Sequence, residues 1–417
     1  MTATVSGERT EQTPARPTVT GFLIRYSWLI LILVLAPYLV LWRIWPFALS
    51  LMIDVQVYQA GGHFVINGLD LYRQNVVNGG LYFTYTPFAA LLFTLLTPLP
   101  VGVLKVLVMV GNLAGIGFAA YLSLRSLGTP RGRDLTLLSV ALLGPLFWLE
   151  PARSTVWLGQ INLLLLVLLL WDLIRRDGQR WQGVLVGVAA GIKLTPAIFI
   201  GYLLLTGRFR AAGNALLGLV ATIGIGFLLL PKDSLAYWGG TFVAADRVGS
   251  ITDPRNQSLA GAVARAVGWA PEQRFGWLLG AVLLGAVGLG LAVLAHRRGH
   301  HLLGLVLCGL TSTVVAPFSW HHHWVWFVPL ACLLFAGRRW WLLGGLYLLV
   351  FPWVIRWPMS DGSIGKFGWY SLPPFHGLEL LYQNVYLVVF LIVVGYTLSV
   401  LGRSTKERTP AHARPVE

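Results

Sequence analysis

About twelve apolar runs divide this chain, near residues 24–47, 84–98, 101–124, 135–150, 157–174, 182–206, 211–230, 274–296, 301–317, 323–337, 339–357 and 380–401. Most are long enough to cross a bilayer core, which takes roughly 20 helical residues. In hydrocarbon the backbone must satisfy its own hydrogen bonds, so only helices and closed barrels can span it. None of the runs shows the ~10-residue alternation of a barrel strand. The pattern predicts an all-α polytopic membrane protein, a bundle of about 12 transmembrane helices in a single domain over residues 1–417. With 56% apolar and only 11% charged residues, a soluble domain is excluded. Tryptophans near run ends, such as Trp148, Trp171, Trp181 and Trp340, fit the headgroup layer.

The formal net charge of +15 would point to nucleic acid in a soluble protein. Here the cations sit in short loops between apolar runs, which reads as positive-inside topology beside anionic membrane lipids, and no nucleic-acid partner is expected. The basic loops at 125–134, 175–180, 207–210, 296–301 and 337–339 should then be cytoplasmic. So should both termini, as polar tails at 1–20 and 402–417. The run after residue 20 is too long for a signal-peptide core and reads as a retained first span. The first external loop is 48–83, and 231–273 and 358–379 lie on the same face of the plasma membrane. Alternation works only if 84–98 is short or re-entrant and if 182–206 breaks at "KLTP", where Pro196 disfavours helix at the preceding residue. Cys308 and Cys332 lie within apolar runs and read as small buried hydrophobes.

Every Asp and Glu falls at a loop or run end, whereas ion-coupled transporters keep ionisable groups at membrane depth. The residues able to do chemistry collect at one face instead. They are Asp54, Tyr58 and His63 in the first loop, Gln160 and Asn162, Lys193, then Arg255, Asn256 and Gln257, and finally His321, His322 and His323. Position alone makes Asp54 a boundary residue about three times in four, since most aspartates past a span are simply solvated. Gly61, Gly62 and Gly68 after it predict short helices that turn sharply along the membrane surface and hold the acid there. Lys193 is the stronger single signal, because a cation inside an apolar run costs about 2.5–3.5 kcal/mol on insertion scales. "DPRNQSL" at 253–259 suits phosphate or sugar hydroxyls, or else a turn with a helix cap at Ser258. Successive helical residues point about 100° apart, so only part of the histidine triplet should face one site, and its spacing does not suit zinc.

Taken in order, Asp54, Tyr58, Gly68, Leu71 and Tyr72, "YTPF" at 85–88, "GQINLLLL" at 159–166, "KLTP" at 193–196, "NQSL" at 256–259 and "SWHHH" at 319–323 resemble glycosyltransferase family 87. These are GT-C-type, polyprenyl-phosphate-mannose-dependent α-mannosyltransferases of actinobacterial envelopes, and the likeness is greatest to the branch acting on phosphatidylinositol mannosides. The resemblance implies a GT-C bundle with interfacial external loops and transfer of mannose with inversion to an α-1,2 linkage. It also implies Asp54 as general base, with Lys193, His322 and Arg255 binding the donor phosphate. Tyr58, His63, Gln160, Asn162, Asn256, Gln257 and His321 would contact substrate. The partners implied are polyprenyl phosphate mannose, a glycolipid acceptor and membrane lipids, for a monomer without cofactor or metal. Thr86 stands where many relatives carry a second proline, which should loosen that loop. The competing readings are an arabinosyl or lipomannan-directed transferase, or a lipid-linked sugar flippase.

Overall fold

The structure is a computed structural model that describes residues 18–44, 52–77, 80–128, 130–175, 177–244, 247–356, 366–373 and 377–406. Most of the two terminal tails, residues 48–51 of the first loop and much of 358–379 lie outside these. Helices dominate, and the only strands among the described residues form two small antiparallel hairpins, Asn75–Val77 with Leu81–Tyr82 and Val354–Arg356 with Lys366–Phe367.

Four helices are long and apolar enough to cross a membrane: Val101–Leu127, Phe209–Leu229, Pro271–Arg297 and Val385–Arg403. Two further candidates are bent pairs, Val19–Arg25 with Ser27–Tyr38 at 81° and Gly132–Phe147 with Glu150–Leu158 at 84°. The remaining apolar helices are shorter, among them Pro87–Leu96, Asn162–Leu173, Thr195–Leu205 and His301–Val315. Among the described residues the count that can span by length and composition is therefore four to six, fewer than the twelve runs imply. The first run is not one continuous helix: Thr18 caps a short segment that ends at Tyr26, and the chain turns before Ser27.

The 84–98 run is short, as its length requires, and the 182–206 run breaks where Lys193 and Pro196 predict. Helix Val184–Ile192 ends at Lys193, whose backbone opens to φ −145°, ψ 130°, and a 3₁₀ turn at Thr195–Ala197 leads into Ile198–Leu205. Val184–Ile192 packs against Phe209–Leu229 through glycines one turn apart. A Cβ on Gly187 would sit 2.2 Å from the Ala215 carbonyl oxygen, and one on Gly191 2.1 Å from the Thr222 hydroxyl. Small residues at this spacing let backbones approach where lipid supplies no hydrophobic drive. At the other end Asp172 is fully buried and accepts from the backbone N–H groups of Gly183, Leu185 and Val186, holding the helix N-terminus.

Among its described residues the first loop holds one 14-residue helix, Ile53–Ile66, and the hairpin after it, where a series of short turning helices was expected. Gly61 and Gly62 sit within it because neighbours come too close for any side chain. Added Cβ atoms would lie 2.4 Å from the Phe83 ring and 2.4 Å from the Phe93 carbonyl oxygen. Only Gly68, at φ +65°, serves a turn.

Candidate active site

Between the start of Ile53–Ile66, the bend at Glu150, the break at Lys193, the segment 241–255 and the turn at His321–His323 lies a cavity of about 960 Å³. Asp54 opens onto it from the first turn of its helix. The residue two before it, Met52, is buried at φ 24°, a left-handed backbone that non-glycine residues rarely adopt. Gly159, at φ +71°, ends helix Glu150–Leu158 directly against this turn, and a Cβ there would fall 2.2 Å from Val55 Cγ2. The close approach brings Gln160 to Asp54.

Gln160 is oriented from behind. The hydroxyls of Tyr58 and Tyr85 each donate to its Oε1 at 3.0 Å, and the Tyr58 hydroxyl accepts from the Ile161 N–H at 3.2 Å. With the carbonyl side occupied, the amide N–H₂ is left for the Asp54 carboxylate, to which it hydrogen-bonds. No ion pair holds that carboxylate among the described residues. Burial pushes its pKa up to about 7, against the opposing pull of the Lys193 charge and the Gln160 hydrogen bond. A carboxylate so poised can accept a proton near neutral pH.

Lys193 Nζ donates to Asn162 Oδ1 at 2.9 Å, lies 3.1 Å from His323 Nε2 and stands 5.6 Å from the centre of the Tyr85 ring. Asn162 also donates to the His322 carbonyl at 3.0 Å, so one amide ties the cation to the histidine turn. That turn is 3₁₀, and all three histidines line the cavity, where only one or two were expected. Its residues splay toward different walls. His323 meets Lys193, and His321 Nε2 lies 3.7 Å from Glu150. His322, buried and loosely stacked on Trp320, has no hydrogen-bond partner at either ring nitrogen. Burial first, and then the neighbouring cations, hold all three pKa values well below the usual histidine range. They are neutral imidazoles, each with one donor and one acceptor.

A second carboxylate lines the cavity without having been singled out from the sequence. Glu150 accepts from Arg153 Nε and Nη2, both at 2.8 Å, and from the Tyr370 hydroxyl at 3.2 Å. The guanidinium also stacks on Phe367 at 4.7 Å. The sequence signal was present in "EPAR", opposite charges three residues apart beside apolar runs.

Residues 83–317 match the family model of glycosyltransferase family 87, more than half of the chain. The chain belongs to glycosyltransferase family 87. A polyprenol-phosphate-mannose-dependent α-(1-2)-phosphatidylinositol pentamannoside mannosyltransferase of Mycobacterium tuberculosis is 35% identical over 343 residues, 76% of each chain. Its namesake in Mycolicibacterium smegmatis is 34% identical over 341 residues, 76% of this chain and 80% of the relative. A polyprenol-phosphate-mannose-dependent α-(1-2)-phosphatidylinositol mannoside mannosyltransferase of M. tuberculosis is 33% identical over 293 residues, covering 66% and 68%. No solved structure shows a significant match.

The other residues expected at the site are engaged within the protein or lie away from the cavity. Arg255 lines the cavity, but its guanidinium is clamped by Asp253, with contacts from 2.6 to 3.2 Å, and lies over Trp320 at 5.2 Å. Asn256 and Gln257 are fully buried behind the wall and do not line the cavity. The Asn256 side chain accepts from the Ser319 N–H at 3.0 Å, and that of Gln257 bonds the Gln383 carbonyl and the Tyr386 N–H. They staple the histidine segment to its neighbours, while Ser258 caps helix Leu259–Val267. His63 is exposed at the far end of its helix, away from the cavity. Thr86 does not loosen its loop: it caps Pro87–Phe93 and donates to the Gly191 carbonyl at 2.5 Å, two residues from Lys193.

Proposed function

We propose that this family 87 enzyme transfers mannose from polyprenyl phosphate mannose to a phosphatidylinositol mannoside, forming an α-(1→2) linkage with inversion. The donor, the linkage and the acceptor class are those named for every relative above. One observation carries the catalytic assignment: Asp54 faces the cavity with Gln160 as its one side-chain hydrogen-bond partner among the described residues, and a pKa raised to about 7.

The Asp54 carboxylate takes the proton of the acceptor 2-hydroxyl as that oxygen attacks the anomeric carbon of the donor. The bond from this carbon to the phosphate oxygen breaks, and polyprenyl phosphate leaves. One displacement inverts a β-mannosyl phosphate to an α-mannoside. A phosphate leaving group needs no acid catalyst at neutral pH, so a glycosidase-like second carboxylate is not required. Lys193 and the unpartnered His322 are placed to meet charge that develops on the phosphate. Tyr58, Gln160 and Asn162 orient the base and the cation, and His321 lines the cavity beside Glu150.

The chain is proposed to be a single GT-C-type domain, since one apolar core runs from Tyr38 to Leu401. Its cavity is proposed to open on the external face of the plasma membrane, with both termini cytoplasmic. The basic loops at 125–134, 207–210, 296–301 and 337–339 support that orientation. Purified protein in lipid nanodiscs, given radiolabelled polyprenyl phosphate mannose and phosphatidylinositol mannosides, should yield a labelled glycolipid that an α-1,2-specific mannosidase releases. No labelled glycolipid, or a product resistant to that enzyme, contradicts the proposal.

A further inference from the structure

The charged groups that line the cavity do not cancel. Among the described residues they are Asp54, Glu150 and Asp253 against Arg153, Lys193, Arg247 and Arg255. Two of the cations are held by carboxylates at ion-pair distance, Arg153 by Glu150 and Arg255 by Asp253. Lys193 has Asn162, His323 and the field of Asp54. Arg247 has none of this. Its Nε and Nη2 are buried without a hydrogen-bond partner, and its guanidinium lies 4.3 Å from the centre of the Tyr82 ring, which leaves those two nitrogens unused.

Guanidinium nitrogens buried with idle donors are costly unless a ligand completes them. Its forked donors match phosphate oxygens better than a single hydroxyl. The segment that carries Arg247 is also tied to the histidine turn. Gly249 crosses Trp320 so closely that a Cβ would lie 2.8 Å from the ring, and Trp320 stacks on His322, whose ring nitrogens are both unpartnered. A phosphate held by Arg247 would therefore lie on the side of the cavity where His322 offers its free ring.

We infer that Arg247 receives the phosphate of the departing polyprenyl phosphate; this rests on the donor proposed above. When the bond from the anomeric carbon to the phosphate oxygen breaks, a phosphodiester with one negative charge becomes a monoester that can carry two. A cation with no carboxylate partner among the described residues is most effective where that added charge appears. Arg255, neutralised by Asp253, serves instead as part of the Trp320 platform.

Binding of a prenyl phosphate separates this inference from the transfer reaction, because it needs no turnover. With the full chain in nanodiscs, the affinity for farnesyl phosphate is measured against that for farnesol, in wild type and in Arg247→Ala, Arg247→Lys and Arg255→Ala. Arg247→Ala should weaken farnesyl phosphate at least tenfold and leave farnesol within threefold. Arg247→Lys, which keeps the charge and loses the forked donors, should retain more affinity than Arg247→Ala and less than wild type, and Arg255→Ala should change it less than threefold. Should the alanine variant not fold, Arg247→Gln carries the same expectation. The inference is overturned by farnesyl phosphate affinity within threefold of wild type, by equal losses for both probes, or by a raised acceptor KM with farnesyl phosphate binding intact. The last outcome would move Arg247 to the phosphodiester of the acceptor. Failure of wild-type protein to transfer mannose, with charge-selective farnesyl phosphate binding intact, would count against the proposed reaction alone.

Discussion

Asp54 and Glu150 line the same cavity, yet one carboxylate is saturated by its neighbours and the other is nearly bare. Glu150 takes two hydrogen bonds from Arg153 and one from Tyr370, with His321 near by, so both of its oxygens are engaged. Asp54 takes one from Gln160 and feels Lys193 only through its field. Asp172, outside the cavity, repeats the saturated pattern with backbone N–H donors. A carboxylate with both oxygens engaged by several donors holds structure together, whereas one with few donors and a raised pKa can take a proton. The difference between the two walls, and not the presence of an acid, singles out Asp54.

Substituting the two acids breaks the comparison most directly. Asp54→Asn should lower kcat by about 10²–10⁴-fold. It should leave the melting temperature unchanged or raise it, because burial already disfavours the ionised form. Glu150→Gln should do the reverse. It leaves the Arg153 guanidinium buried beside a neutral amide, a loss on the order of 3–5 kcal/mol for broken buried pairs, read as a lower melting temperature. If Glu150→Gln were stable but inactive while Asp54→Asn kept its rate, the assignments of the two walls would have to be exchanged.

Smaller effects sharpen the picture. Gly159→Ala adds a Cβ into Val55 at φ +71°, which should cost more than about 1 kcal/mol and lower kcat by displacing Gln160 from Asp54. A variant with normal kcat would show that this approach does not set the base. His63→Ala, exposed and away from the cavity, should change stability by less than about 0.5 kcal/mol and leave transfer at the wild-type rate.

Lipid leaves the backbone so few options that the helical class was plain in the apolar runs, and so was the break at Lys193 and Pro196, where a charge and a missing N–H interrupt one run. Asp54, Lys193 and the histidines were legible because polar groups beside apolar runs are expensive. What escaped the sequence depends on contacts distant in the chain. Gly61 and Gly62 look like turn residues until Phe83 and Phe93 are seen against them. Asn256 and Gln257 look like sugar ligands until Ser319, Gln383 and Tyr386 claim their side chains. The 3₁₀ turn at His321–His323 spreads its side chains over walls that residues 150, 193 and 320 supply. Glu150 and Arg153 carried a local signal in their spacing, but only Tyr370, 220 residues from Glu150, shows how fully that acid is engaged.

The most direct test of Asp54 as the base is the pH dependence of kcat/KM in the wild-type enzyme, which reports the pKa of the free enzyme's essential groups. A base works only when unprotonated, and burial has moved the Asp54 pKa up from the ordinary carboxylate range to about 7. The donor phosphodiester does not titrate near this pH, and the three histidines stay neutral through it because their pKa values lie well below the usual range. The rate should therefore fall about tenfold for each pH unit below roughly 7, with unit slope, as the carboxylate takes up its proton. A profile flat from pH 8 down to about 5, with any acidic limb confined to the ordinary carboxylate range near pH 4, would contradict the account.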